Sequence, residues 1–247
     1  MSHHVVEVRD LCFDYPDGTE ALKGVSFRVT HGGSVALIGA NGAGKSTLLL
    51  HLNGYLKPTR GEVRIGDTLL TPETSAASRR AVGMIFQDPD DQLFMPTVFE
   101  DVAFGPLSAG LPPGDVERRA TAALERVGMN HLKSRAPYRL SAGEKRAVSI
   151  ATVLAMQPDV LVMDEPSSNL DTRGRRRLIE MLRSFEHTKI IATHDLDLVV
   201  EVCSHVIVMD GGKIVAEGPT AALLNNETLM LDHGLERPHI LRHMHPH

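Results

Sequence analysis

One stretch constrains this chain more than any other: Gly39-Ala40-Asn41-Gly42-Ala43-Gly44-Lys45-Ser46. It fits the pattern G-x-x-x-x-G-K-[ST], and it lies between an apolar run, Ser34–Ile38, and a segment of helical composition, Lys45–Leu52. The pattern works only as a turn from a strand into a helix, which is the context found here. Its glycines let successive backbone N–H groups curl around a phosphate, and the start of the helix adds favourable dipole charge. Lys45 then supplies a point charge to the β- and γ-phosphates, and the Ser46 hydroxyl a ligand for Mg²⁺. Such a loop needs a buried parallel strand behind it, so the chain is expected to have an α/β core. By itself the motif, with Thr47 beside it, says P-loop NTPase and no more.

The 247 residues suit one sizeable domain or two closely packed lobes, and a hydrophobic share of 42% can fill a core. Net charge is −5. That argues against a nucleic-acid partner, because neutralising phosphates takes clustered Lys and Arg. Cys12 and Cys203 are far apart and in no metal or redox spacing, which suits two buried thiols in a reducing cytosol. The N-terminal MSHHVVEVRDL is not a secretory signal. The longest apolar candidate, Ala147–Met156, falls short of the ~20 residues needed to span a bilayer. The chain is therefore expected to be soluble by itself, with any membrane role supplied through a partner.

The first part reads as short strands: His4–Arg9, Leu11–Tyr15 and Gly24–Thr30, with a turn at Asp17-Gly18. Gly61–Ile65 and Val82–Phe86 are further strand candidates. From Pro96 to about Leu140 the character changes. Val116, Ala120, Ala123, Leu124 and Val127 recur at helical spacing between breaks at Gly110–Gly114 and Gly128. This stretch is expected to be a helical subdomain inserted in the core. The core resumes with a helix near Glu144–Met156, a strand Val160–Met163, a helix near Arg173–Phe185 and a strand Lys189–Ala192. Val206–Met209 and Lys213–Ala216 form a hairpin about Gly211-Gly212. Short apolar strands alternating with helices imply a mostly parallel sheet.

Val160-Leu161-Val162-Met163-Asp164-Glu165 is an apolar strand ending in two carboxylates. Consecutive strand residues point to opposite sides, so the two acids have different tasks. Asp164 is expected in the Mg²⁺ shell and Glu165 as the general base facing the attacking water. Many surface strands end in acids, and it is the upstream phosphate loop that gives this pair meaning.

With these motifs in place the chain resembles an ABC-transporter nucleotide-binding domain from Val5 to about Leu224. The resemblance implies the ABC ATPase fold: an α/β, RecA-like P-loop NTPase core with an N-terminal antiparallel β subdomain and an inserted helical subdomain. Residues 1–247 would be one ATP-binding domain, with the core at 1–87 and 145–224, the helical subdomain at 88–144 and a tail at 225–247. ATP and Mg²⁺ are the implied ligands. Tyr15 matches the aromatic that stacks on adenine, and base stacking tolerates any base. Gln87 matches the glutamine that contacts Mg²⁺ and senses the helical lobe. Leu140-Ser141-Ala142-Gly143-Glu144 resembles the LSGGQ signature, with Ala142 for its first glycine and Glu144 for its glutamine. Family members use this serine and backbone N–H groups to hold the γ-phosphate of ATP on the facing subunit. The donors survive a Gly-to-Ala change where φ is negative. Ser168-Asn169-Leu170-Asp171 resembles the loop that crosses the dimer seam, and His194 the switch histidine that orders Glu165, water and γ-phosphate. Gly39–Thr47, Gln87, Lys45, Asp164, Glu165 and His194 would then act from one subunit, and Ser141 to Glu144 from the other.

Phe86–Phe94 and Pro96–Gly105 look like the ATPases of energy-coupling-factor (ECF) importers. Glu144–Met156 and Thr193–Leu198 look most like the dedicated cobalt/nickel systems. The partners implied are a second copy or a paralogous ATPase, an integral membrane scaffold (the T component), and through it a substrate-binding membrane protein. The location implied is the cytoplasmic face of the cell membrane. Scaffold coupling helices carry arginine in that family, and Asp88, Asp90 and Asp91 offer matching acidity. A vitamin ECF importer and a soluble, non-transport ABC ATPase are the alternatives. An exporter ATPase fits the acidic loop less well. His239, His243, His245 and His247 fit no tight zinc spacing and read as a frayed tail. Arg173 and Arg175–Arg177 read as a solvated helix face.

Overall fold

Alternation of apolar and polar residues builds two long N-terminal strands, β1 (Val6–Asp14) and β2 (Glu20–Val29), each with one face buried. The chain then enters β3 (Ser34–Ile38), whose five residues are all buried, and α1 (Lys45–Leu52). A second β segment, β4 (Arg60–Ile65) and β5 (Thr68–Leu69), precedes α2 (Ser75–Ala81) and β6 (Val82–Ile85). Helices α3 (Val98–Ser108), α4 (Pro113–Arg126) and α5 (Ala142–Leu154) come next. The rest is β7 (Val160–Asp164), α6 (Thr172–Ser184), β8 (Thr188–Ala192), α7 (Leu196–Val202), β9 (His205–Asp210), β10 (Lys213–Pro219), α8 (Thr220–Leu224), α9 (Glu227–Asp232) and α10 (His239–Arg242). This is a computed structural model, and it describes residues 6–236 and 238–242. The tail histidines His243, His245 and His247 lie outside the described residues, as does the side chain of His239.

The described residues cluster into two compact units. The first contains residues up to Val82, Asp159–Glu165 and those from Glu186 onward; the second contains Gly83–Pro158 and Pro166–Phe185.

In the first unit, β2-β1-β4-β5 form an antiparallel sheet. A second sheet runs β10-β9-β3-β8-β7, with β9, β3, β8 and β7 mutually parallel and β10 an antiparallel edge. Every residue of β3, β7 and β8 is buried, and β3 and β7 accordingly read as nearly continuous apolar runs, while β8 also buries Thr188 and Lys189. The sequence reading split residues 6–14 into two strands. The structure makes them one, because Asp10 takes φ 45° and absorbs the irregularity as a bulge. That bulge fits tightly over Gly61, where a Cβ would lie 2.3 Å from the Asp10 carbonyl oxygen. Cys203 is 5% exposed, and burial pushes its thiol up to about 11. Iodoacetamide at about pH 8.5 should therefore label the partly exposed Cys12 of the folded protein and spare Cys203 until denaturant is added. Peptide mass spectrometry reads this out.

In the second unit, α3, α4 and α5 pack together. Helix α4 buries Val116, Ala120, Ala123 and Leu124, one face at helical spacing, and α6 buries Leu178, Ile179, Met181 and Leu182. Helices α5 and α6 both cluster with this unit. Among the described residues no helix is long and apolar enough to cross a membrane.

Candidate functional site

Strand β3 delivers the chain to the glycine loop of the first unit. Gly39 has φ 150°, and a Cβ there would sit 2.1 Å from the carbonyl oxygen of Met209 on β9. Gly44, φ 98°, is the N-cap of α1, and its missing Cβ would meet Ala21 O at 2.7 Å. Glycine at these positions is thus demanded by the packing of β9 and β2 around the loop. The hairpin turn joining β9 to β10 supports the same loop, with Gly212 N–H donating to Ala43 O at 3.2 Å. Lys45 is 8% exposed, and its ammonium donates to Gly39 O at 2.8 Å and Ala40 O at 3.0 Å. Ser46 is exposed at the start of α1. Tyr15 is half-buried, edge-on to Phe13, with its hydroxyl 3.0 Å from Thr47 Oγ1.

The two acids stand at the end of β7 in the same unit. Asp164 is 6% exposed and Glu165 8%. Glu165 takes φ 47°, a left-handed backbone that costs a non-glycine residue roughly 1–2 kcal/mol. Its N–H nevertheless continues the β7–β8 ladder, donating to Ala192 O at 2.8 Å. One carboxylate oxygen, Oε2, gathers three groups. It accepts from Thr193 Oγ1 at 3.1 Å and from the His194 backbone N–H at 3.3 Å, and it lies 2.8 Å from His194 Nδ1. The His194 side chain is otherwise 74% exposed. Burial pushes the Lys45 ammonium down, and Glu165 and Asp164 pull it part of the way back. The lysine and both carboxylates therefore share one electrostatic environment. Tyr15, residues 39–47, Asp164, Glu165 and His194 all belong to this unit.

Hard oxygen donors suit Mg²⁺, which takes one or two carboxylates plus substrate phosphates and keeps several waters. The Ser46 hydroxyl and the buried Asp164 carboxylate are donors of that kind. Among the described residues no group of three His, Cys, Asp or Glu side chains is placed to hold a metal.

The second unit carries the other motif residues. Ser141 N-caps α5 in a capping box: Glu144 N–H donates to Ser141 Oγ at 3.3 Å. In return the Glu144 carboxylate accepts from Ser141 N–H at 2.7 Å and from Ser141 Oγ at 3.0 Å. This explains a glutamate where the signature has glutamine, since either closes the box. The Ser141 N–H holds the Glu144 carboxyl below its usual range. Ala142 begins the helix without a positive φ, so its methyl leaves the backbone donors in place. At Gly143 a Cβ would make only ordinary contacts, 3.7 Å from Asn169 O. Asn169 is left-handed at φ 64°, and Asp171 N-caps α6 through Gly174 N–H at 2.6 Å.

Gln87 is exposed. The three nearby acids are not equivalent. Asp88 caps a short 3₁₀ turn through Asp90 N–H at 2.9 Å, Asp90 meets Lys145 Nζ at 2.6 Å, and Asp91 is exposed. Sequence reasoning missed three features here. Arg146 is fully buried and donates to the Phe86 and Gln87 carbonyls. Phe94 and Phe104 stand exposed and edge-to-face, 5.0 Å apart. The Glu144 capping box was legible as Ser-x-x-Glu, and its spacing could have revealed it.

These geometries are those of a nucleotide-binding fold, and comparison with known proteins agrees. Residues 22–168 match the ABC transporter family model. The chain belongs to that family and has its ABC ATPase fold. A putative ABC transporter ATP-binding protein of Geobacter sulfurreducens is 64% identical over 96% of both chains. An energy-coupling factor transporter ATP-binding protein, EcfA of Methanocaldococcus jannaschii, is 49% identical over 92% of this chain and 83% of its own. The structure of cbiO1 from Clostridium perfringens, part of the ABC transporter complex cbiONQ, superposes with a TM-score of 0.80 at 37% identity, covering 93% and 94% of the two chains. The protein is thus an ATP-binding, ATP-hydrolysing subunit of the ABC/ECF transporter type.

Proposed function

We propose that this chain powers an ECF-type importer of cobalt or nickel ions, acting with a second copy or a paralogue beneath a membrane scaffold on the cytoplasmic face. The metal reading rests on the resemblance of residues 144–156 and 193–198 to dedicated cobalt/nickel systems; the importer class is supported by the EcfA relatives. The observation that carries the catalytic reading is Glu165 on its strained backbone, gripped by Thr193 and His194 within electrostatic reach of Lys45.

Phosphoryl transfer is mainly positioning and electrostatics. The N–H groups of Gly39–Thr47 cradle the phosphates while Tyr15 takes the adenine. Lys45 leaves the carbonyls of Gly39 and Ala40 for the β/γ-phosphates. Ser46 and Asp164, and on this reading Gln87 as well, would hold Mg²⁺, which would supply positive charge against the phosphates. Glu165 takes the proton of the attacking water, and His194 keeps that carboxylate turned towards it. Ser141, Ala142, Gly143 and Glu144 approach the ATP of the facing subunit, and 168–171 line the seam. Gly143 is suited to such an approach, because with no side chain its backbone N–H lies open on that face, and the neighbours Asn169 and Leu170 come no nearer than ordinary contact. With Asp90 already engaged by Lys145, Asp91 and the exposed Phe94–Phe104 pair are the better contacts for a scaffold helix.

Reconstitution in proteoliposomes with the scaffold and substrate-binding partners tests the reading. ATP-dependent accumulation of radiolabelled Co²⁺ or Ni²⁺ is expected. Uptake of a vitamin with no metal uptake would move the chain to the alternative importer class, and failure to copurify with any scaffold would remove the transport role.

A further inference from the structure

Within the second unit, the segment bearing Gln87 is stapled to α5, the helix that begins at the signature turn. Arg146 is wholly buried on that helix, a position that an arginine tolerates only when its donors are used. Its Nη1 donates to Phe86 O at 2.6 Å and its Nη2 to Gln87 O. Gln92 grips the same segment from the other side. Its Oε1 accepts from Phe86 N–H at 3.3 Å, while its Nε2 donates to Ser149 O at 2.8 Å and Thr152 Oγ1 at 2.7 Å on α5. Lys145 adds the link to Asp90. Two successive carbonyls aimed at one planar fork fix the backbone direction at Gln87, and a lysine could satisfy only one of them well.

We propose that Arg146 is a positioning residue that locks Gln87 to the signature helix, so that any shift of Ser141 on meeting a facing subunit's nucleotide is carried to Gln87 in the same chain. The proposal rests on the reading of Gln87 as a sensor of the nucleotide's Mg²⁺. It names a side chain that touches neither nucleotide nor metal and acts through Gln87.

A double-mutant cycle on the full chain separates the two ideas. Arg146→Lys and Gln87→Ala should each lower kcat about tenfold with KM for MgATP within about twofold, the scale of loss that misplacement causes. Both should raise the Mg²⁺ concentration giving half-maximal turnover, and Mg²⁺-free nucleotide binding should be unchanged. The double variant should be no slower than Gln87→Ala alone. Multiplying losses, or an Arg146→Lys protein that turns over as wild type beside an impaired Gln87→Ala, would overturn the proposal and leave the Gln87 reading intact. Wild-type turnover by Gln87→Ala would remove both. Should Arg146→Lys fail to fold, Gln92→Met carries the same test through Phe86: about threefold lower kcat, abolished on the Gln87→Ala background. A Gln92→Met loss that persists there would equally overturn it.

Discussion

Glu165→Gln will slow turnover of MgATP by about 10²–10⁴-fold, the contribution of a positioned general base, while ATP affinity stays close to wild type. The substitution is nearly isosteric. An amide oxygen at Oε2 can still accept from Thr193 Oγ1 and the His194 N–H, so the left-handed turn at φ 47° keeps its supports. What disappears is the group that can take a proton. It also removes a negative charge beside Lys45, whose ammonium that charge had been stabilising against burial. Binding without hydrolysis should trap the nucleotide, and on the dimer reading the variant elutes as an ATP-dependent dimer. Single-turnover hydrolysis and size-exclusion chromatography with and without ATP measure the two effects. Turnover equal to wild type would take the base assignment away from Glu165.

The parts of this molecule that were legible in the sequence are those whose causes are local. The glycine loop is specified by positive-φ positions flanking a lysine, and β3 and β7 by mostly apolar runs of the kind that a strand buried on both faces carries. The hairpin at Gly211-Gly212 is local too, with φ of 51° and 81° at the turn. What stayed hidden depends on residues far away in sequence. The continuity of β1 through Asp10 is set by Gly61 on a neighbouring strand, so residues 6–14 looked like two strands. The partner of Asp90 is Lys145, and the carbonyls of Phe86 and Gln87 are held by Arg146, contacts between residues 55 to 60 positions apart. No window of neighbouring residues contains both members of such a pair. An acidic trio at 88–91 therefore reads as three free charges until the fold pairs one and turns another into a cap.

Lys45→Met will raise the Kd for MgATP by about 10²–10³-fold and leave the protein folded. A hydrogen bond to a charged group contributes roughly 1.5–3 kcal/mol, and on the proposed reading this ammonium contacts two phosphate groups. The loss should show on affinity rather than on stability because of where the lysine sits. Lys45 is buried and spends its donors on the carbonyls of Gly39 and Ala40, an arrangement whose desolvation cost already depresses its pKa. Methionine fills a similar volume without that cost, although it leaves Asp164 and Glu165 without their neighbouring cation. These opposed terms should keep the melting temperature within a few degrees of wild type, on the order of 1 kcal/mol. Calorimetric titration with MgATP beside thermal denaturation separates the outcomes. Retained affinity would mean that the loop's backbone N–H groups and the dipole of α1 hold the phosphates alone, and that Lys45 serves mainly to brace the loop through the carbonyls of Gly39 and Ala40.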